Sequence, residues 1–102
     1  MDLSEANVAV FADHLGSRFR VVTGNGQIAE IELIAAEIYR SDLPRQEEGR
    51  KLDREPFSLL FEVLVPELSI RQRLYQIEHA ALGNFELFLT PTGPGRLEAV
   101  FN

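Results

Sequence analysis

The sequence predicts a mainly β fold, a small antiparallel barrel or sandwich of about six strands with a short N-terminal helix. Three observations point there. From Arg18 onward apolar and polar residues alternate over several runs, the period of a half-buried strand. Two glycine-rich signals, Gly24-Asn25-Gly26 and Thr92-Gly93-Pro94-Gly95, connect alternating runs at hairpin spacing. The chain has 102 residues, enough for one modest core, so residues 1–102 are expected to form a single domain.

Residues 4–15 read as a helix. Ser4 suits the N-cap, Glu5 the positive end of the helix dipole, and Gly16 the termination. Val8, Phe11, Ala12 and Leu15 recur at spacings of three and four, one apolar stripe that would plug or cover an open end of the sheet.

Residues 18–40 read as a hairpin. Phe19 and Val21 alternate with Arg18 and Arg20, and Gly24-Asn25-Gly26 supplies the positive φ angles of a tight turn. Ala29, Ile31 and Leu33 then alternate with Glu30 and Glu32 on the return. Residues 27–40 also fit a helix, because Ile28, Ile31, Ala35 and Ile38 would share one helical face. The specific turn favours the strand. The alternation slips near Ala35-Ala36, as a bulge or a corner would make it do.

Residues 41–56 carry four basic and five acidic side chains with Pro44, Gly49 and Pro56. Such a stretch buries too little apolar surface to offset its ordering entropy and is expected to be a mobile loop. Residues 57–101 then read as four antiparallel strands. Phe57, Leu59, Phe61, Val63 and Val65 share a face until Pro66 stops the strand. Tyr75, Ile77 and His79 share another, and a turn through Leu82-Gly83-Asn84 leads to Phe85, Leu87 and Leu89. Leu97, Ala99 and Phe101 form the last strand, expected to pair with 85–90 and to close a barrel or meet a second subunit with its other edge. The expected core is Phe19, Val21, Ile31, Leu33, Phe57, Leu59, Phe61, Phe85, Leu87 and Phe101.

The composition excludes several classes of function. Cysteine is absent, so disulfides, thiolate metal sites and cysteine nucleophiles are excluded. Sixteen acidic against ten basic residues give a net charge of −6, which repels phosphate backbones and argues against nucleic-acid binding. No apolar run reaches the roughly 18 residues of a membrane-spanning helix. The Met1-Asp2-Leu3-Ser4-Glu5 start lacks a signal-peptide pattern, so a cytoplasmic location is expected, with no membrane partner.

No set of residues forms a catalytic signature, and neither an enzymatic activity nor a cofactor is expected. Glu78 and His79 are adjacent on a strand and so point to opposite faces, whereas an acid–base pair must converge on one atom. His79 is better read as a turn-capping or satisfied core residue, and His14 as a partner of a helix C-terminus. Two histidines without a carboxylate cluster do not make a metal site. Gly24-Asn25-Gly26 lacks the Lys-Ser or Lys-Thr of a phosphate loop, and Ser58 lacks a nucleophile elbow.

The candidate interaction residues are mostly apolar. The 57–65 strand is hydrophobic on both faces, with Leu60 and Leu64 opposite the phenylalanines, and Val22 and Phe88 extend that second face. Such residues need cover from the helix, another subunit or a partner. Arg71, Arg73 and Tyr75 would make a second, smaller ligand patch.

Three segments carry a resemblance: Glu55-Pro56-Phe57-Ser58-Leu59-Leu60-Phe61, the run from Tyr75 through Glu78-His79 and Leu82-Gly83-Asn84-Phe85 to Leu89, and Leu97-Glu98-Ala99-Val100-Phe101-Asn102. Together with Leu15-Gly16 and Phe19-Arg20-Val21 they resemble, over the whole chain, a bacterial family of small stand-alone domains with no assigned activity. The chain departs from that pattern at Val63-Leu64-Val65-Pro66 and Leu68-Ser69-Ile70-Arg71-Gln72, where relatives carry Gly-Pro and Leu-Pro-Gln. The resemblance implies gene neighbours encoding phage-tail-collar-like proteins, and with them a structural or assembly partner. The expected function is a non-enzymatic structural or interaction module with a protein partner or a second copy. The alternative is a small-ligand-binding barrel with its cavity between the helix and the Phe57/Phe61/Phe85 face.

Overall fold

A computed structural model describes residues 6–23, 26–38, 56–64 and 70–101. They form one short helix, α1 (Val8–Ala12), and six strands: β1 (Arg18–Val22), β2 (Ile28–Ile38), β3 (Phe57–Val63), β4 (Arg73–His79), β5 (Gly83–Gly93) and β6 (Arg96–Phe101). The strands close into an antiparallel barrel in the order β1-β2-β3-β6-β5-β4. Two three-stranded meanders, β1–β2–β3 and β4–β5–β6, thus meet along two seams. Phe57↔Phe101 to Glu62↔Arg96 join β3 to β6, and Arg20↔Glu78 to Val22↔Gln76 join β1 to β4.

Alternation places the core. Every residue of the expected set, from Phe19 and Val21 through Phe61 to Phe101, is buried. Ala29, Val63, Ile77, Leu89, Leu97 and Ala99 join it in the same phase. Burying each of the large side chains contributes about 1.5–3 kcal/mol. The 27–40 segment is a strand over Ile28–Ile38. Its register with β3 shifts between Leu33 and Ala35, which leaves Ile34 as the extra residue of a bulge. The bulge bends this long strand and lets the sheet curl toward closure.

The helix is shorter than the expected 4–15. Asn7, rather than Ser4, caps it: the Asn7 side chain accepts from the Val10 N–H at 3.1 Å, satisfying a first-turn donor. Residues 13–16 turn, and Gly16 adopts φ +84°. Of the expected stripe, Phe11 is fully buried and Val8 packs partly against the core, but Ala12 and Leu15 face outward. Leu15 is exposed because the helix ends before it.

Phe11 fills the barrel mouth formed by the start of β3, the start of β5 and the end of β6. Its ring centroid lies 5.9 Å from Phe57, 6.3 Å from Phe85 and 5.5 Å from Phe101. At the opposite mouth, buried Ile70 and Tyr75 close the interior, and the Tyr75 hydroxyl donates to the Arg71 carbonyl at 2.7 Å. Hydrogen bonds from the Val63 N–H to Gly95 O and from the Leu64 N–H to Glu30 O tie the end of β3 to the same mouth. The Pro94-Gly95 turn joins β5 to β6, with Gly95 at φ +73°. Ser4, Gly24-Asn25, all of the expected 41–56 loop except Pro56, and residues 65–69 lie outside the described residues.

Candidate functional site

His79 is the one buried polar side chain of the described core, 9% exposed. Strand alternation turns it inward with Tyr75 and Ile77, while Glu78 points away. Glu78 and His79 therefore do not converge. The chain turns directly after His79, and its Nδ1 accepts two backbone hydrogen bonds, from Ala81 N–H and Leu82 N–H, both at 3.0 Å. An imidazole nitrogen that accepts carries no proton, so the neutral ring is protonated on Nε2. That N–H donates to Ser17 Oγ at 3.0 Å, and the Ser17 hydroxyl donates onward to the His14 carbonyl at 2.6 Å.

The ring is also enclosed by aromatics. The Phe19 centroid lies 4.3 Å away and the His14 ring stands edge-on at 4.9 Å. Burial, and secondarily the charge His14 would carry, lower the His79 pKa from its ordinary 6.5. His14 itself lies in the turn after α1, where its N–H donates to Phe11 O at 2.8 Å.

A serine and a histidine at hydrogen-bond distance suggest a nucleophile and its base, but the proton arrangement is reversed. A base must offer Nε2 unprotonated to the hydroxyl. Here the two backbone donors occupy Nδ1 and force the proton onto Nε2, and Ser17 already donates elsewhere.

Beside this cluster lies a groove of about 470 Å³, lined by Arg18, Arg20, Glu30, Glu78, His79 and Ala80. Its charges alternate by register. Arg20 sits opposite Glu30 on one side and Glu78 on the other, and Arg18 pairs with Glu30 at 3.4 Å. Among the described residues no group of three or more His, Asp or Glu is placed to hold a metal ion.

The apolar candidates do not gather into one face. Phe88 is exposed on the outer face of β5, directly opposite Leu74 of β4. Val100 is outward on neighbouring β6, two residues beyond Glu98, where the β5–β6 ladder ends at Thr90↔Glu98. Leu74, Phe88 and Val100 are 54%, 52% and 49% exposed. Val22 is half-buried on β1, paired with exposed Ile28 on one side and with Gln76 of β4, two residues from Leu74, on the other. Leu60 is half-buried opposite Glu98, and Leu64 is half-buried beyond the end of β3.

The arginine patch is also rearranged. Arg71 and Arg73 are exposed, but Tyr75 is buried, so its ring is not a surface platform. The Arg73 guanidinium carbon stands 5.6 Å from the Tyr75 ring centroid, at the mouth of the barrel. Leu74 and Val100 were not among the candidates. Each is an ordinary outward residue in sequence, and only the strand register brings Leu74 opposite Phe88.

No helix among the described residues is long and apolar enough to cross a membrane. A family model described as a domain of unknown function, DUF6916, matches residues 6–101, and the chain belongs to that family. No curated protein and no solved structure gives a significant match.

Proposed function

We propose that this member of the DUF6916 family is a non-enzymatic interaction module that docks a protein partner on the outer face of β4, β5 and β6. The observation that carries this reading is the Leu74–Phe88 pair across β4 and β5, with Val100 outward on neighbouring β6, three large apolar side chains about half exposed. Scattered single hydrophobics are normal on a surface, whereas adjacent ones form the usual core of an interface.

The surroundings define the partner. Glu86 and Glu98 flank these residues on the same outer face, with Gln76 donating to Glu86 at 3.4 Å. Arg96, the nearest cation on β6, is drawn toward Glu62 at 3.8 Å. An apolar strip with an acidic rim favours a partner surface of opposite charge. A second copy would bring like rims together on a chain of net charge −6. The partner is therefore a different protein, apolar at its centre and basic at its edge. A phage-tail-collar-like protein is the first to test. Each strand has a neighbour on both sides in the closed ring, which favours docking through the outward side chains.

The competing reading, a ligand-binding barrel, loses support because Phe11, Phe57, Phe85 and Phe101 occupy the space that the cavity would need.

Capture from lysate of the source cells, and co-expression with a tail-collar-like protein, test the proposal. A defined partner should be retained by the wild type and by Ile28→Glu, and lost with Phe88→Glu. Raised salt should weaken the complex. Capture that survives Phe88→Glu, or a wild type that retains no partner in either experiment, would overturn it.

A further inference from the structure

The backbone ladder that closes the barrel between β1 and β4 runs from Val22↔Gln76 to Arg20↔Glu78 and stops there. The next residues in register are Phe19 and His79, which meet ring against ring at 4.3 Å. Beyond them the seam is bridged by side chains. His79 Nε2 reaches Ser17 Oγ across 62 residues of sequence, and Ser17 passes the hydrogen bond to His14 O. The groove lined by Arg18, Arg20, Glu78, His79 and Ala80 lies over this same stretch.

We propose that the His79–Ser17–His14 chain is an acid-sensitive clasp that holds the end of the β1–β4 seam, and with it the helix-bearing mouth of the barrel, closed. The clasp joins two turns. On one side are residues 14–17, which follow α1 and are tied to β2 by Gly16 N–H to Leu33 O at 2.8 Å and Leu33 N–H to Ser17 O at 3.1 Å. On the other is the β4–β5 turn, through the Ala81 and Leu82 amides on Nδ1.

A second proton on His79 has only Nδ1 to bind, where two N–H groups already point. Either the ring swings out, which releases Ser17, or the 80–82 turn moves, which frees the Ala81 and Leu82 amides and loosens the clasp from that side. The charged groups around the ring are mixed. His14 opposes a cation, as do Arg18 and Arg20 from β1, while Glu30 and Glu78 on the groove wall favour it. Arg18 pairs with Glu30, and Arg20 stands between Glu30 and Glu78, which spends much of that acidic field. Burial leads the lowering of the His79 pKa, and His14 adds to it.

The sign follows by linkage. Below 6.5 the unfolded histidine is protonated while the folded one resists, so the open form binds more protons and stability rises with pH. The clasp is at full strength above pH 6.5. It weakens as pH falls from there toward the folded-state value. The device is independent of how the outer apolar residues are used.

Nitrogen-15 NMR of the imidazole, with amide-exchange protection factors measured from pH 7.5 to 5, tests this on the whole chain. At pH 7.5 His79 should be the Nε2–H tautomer, and it should titrate below 6.5. Protection at Ala81, Leu82 and Gly16 should fall on acidification, by up to about tenfold per pH unit, while Phe61 in β3 stays protected. His79→Gln should abolish the acid step. Ser17→Ala should weaken protection at Gly16 already at pH 7.5 while leaving the Ala81 and Leu82 bonds to Nδ1. A His79 carrying its proton on Nδ1, titrating at or above 6.5, or an acid opening unchanged in Ser17→Ala would overturn the proposal. Should His79→Gln not fold, the wild-type titration and Ser17→Ala decide.

Discussion

Phe11→Ala isolates what a five-residue helix contributes to this fold. Phe11 is wholly buried and packs against three other rings, at centroid distances of 5.5 to 6.3 Å. Removing a buried phenyl group costs about 3–5 kcal/mol in transfer and cavity terms together. The site lies at a barrel mouth beneath a short helix, so the hole can partly collapse or fill with water, which places the loss toward the lower end, about 3 kcal/mol. Individual aromatic pairs contribute about 0.5–1.5 kcal/mol beyond area, but one ring cannot satisfy three ideal geometries, so these terms do not simply add. For a chain of this size the melting temperature should fall by roughly 12–24 °C. Urea unfolding followed by far-ultraviolet circular dichroism gives the free energy directly, with the slope unchanged if the barrel remains. Phe11→Leu, which keeps most of the volume, should cost no more than about 1.5 kcal/mol. A loss below about 1 kcal/mol for Phe11→Ala would mean that α1 is not docked and that the mouth is closed by something else.

Two further perturbations follow. Deleting residues 100–102 removes Phe101, which stacks on Phe57 at 4.4 Å and 7°, and shortens the β3–β6 seam. The truncated chain should be largely unfolded, and an unchanged melting temperature would refute the role of β6. Gly95→Ala meets no steric obstruction but forces a side chain into φ +73°, so it should destabilise by about 1–2 kcal/mol in a denaturant titration.

The strand phases were legible because the alternation of β1, β3, β5 and β6 is nearly unbroken, so the inward set follows from counting by two. The slip at Ala35-Ala36 lay close to the bulge, since a bulge is by nature a phase error. The start of the helix was not legible. Ser4 and Asn7 are both good caps, and the choice is decided by where Phe11 must enter the mouth. Leu15 fitted the helical period yet lies past the helix end. The arginine patch was legible only in part: Arg73 does stand over the Tyr75 ring, but alternation does not say which face is inside, and Tyr75 is buried. The pairing of Leu74 with Phe88, and of Ser17 with His79, depends on cross-strand register and barrel closure. Neither leaves a mark in the local sequence.

The two-meander layout also governs how the molecule can assemble itself. Within each half the neighbouring strands are consecutive, and the β1–β2, β4–β5 and β5–β6 connections are short and close at small entropic cost, while β2 and β3 are joined across residues 39–56. The seams are different: Phe57 and Phe101 are 44 residues apart and Arg20 and Glu78 are 58 apart. Topology of this kind slows folding, because distant pairings must wait until closure is paid for by burial. Each half on its own exposes two unpaired edges, and those edges match the other half in register. A chain cut between β3 and β4 should therefore reconstitute from its two pieces. At high concentration during refolding, the same matched edges allow two copies to exchange halves.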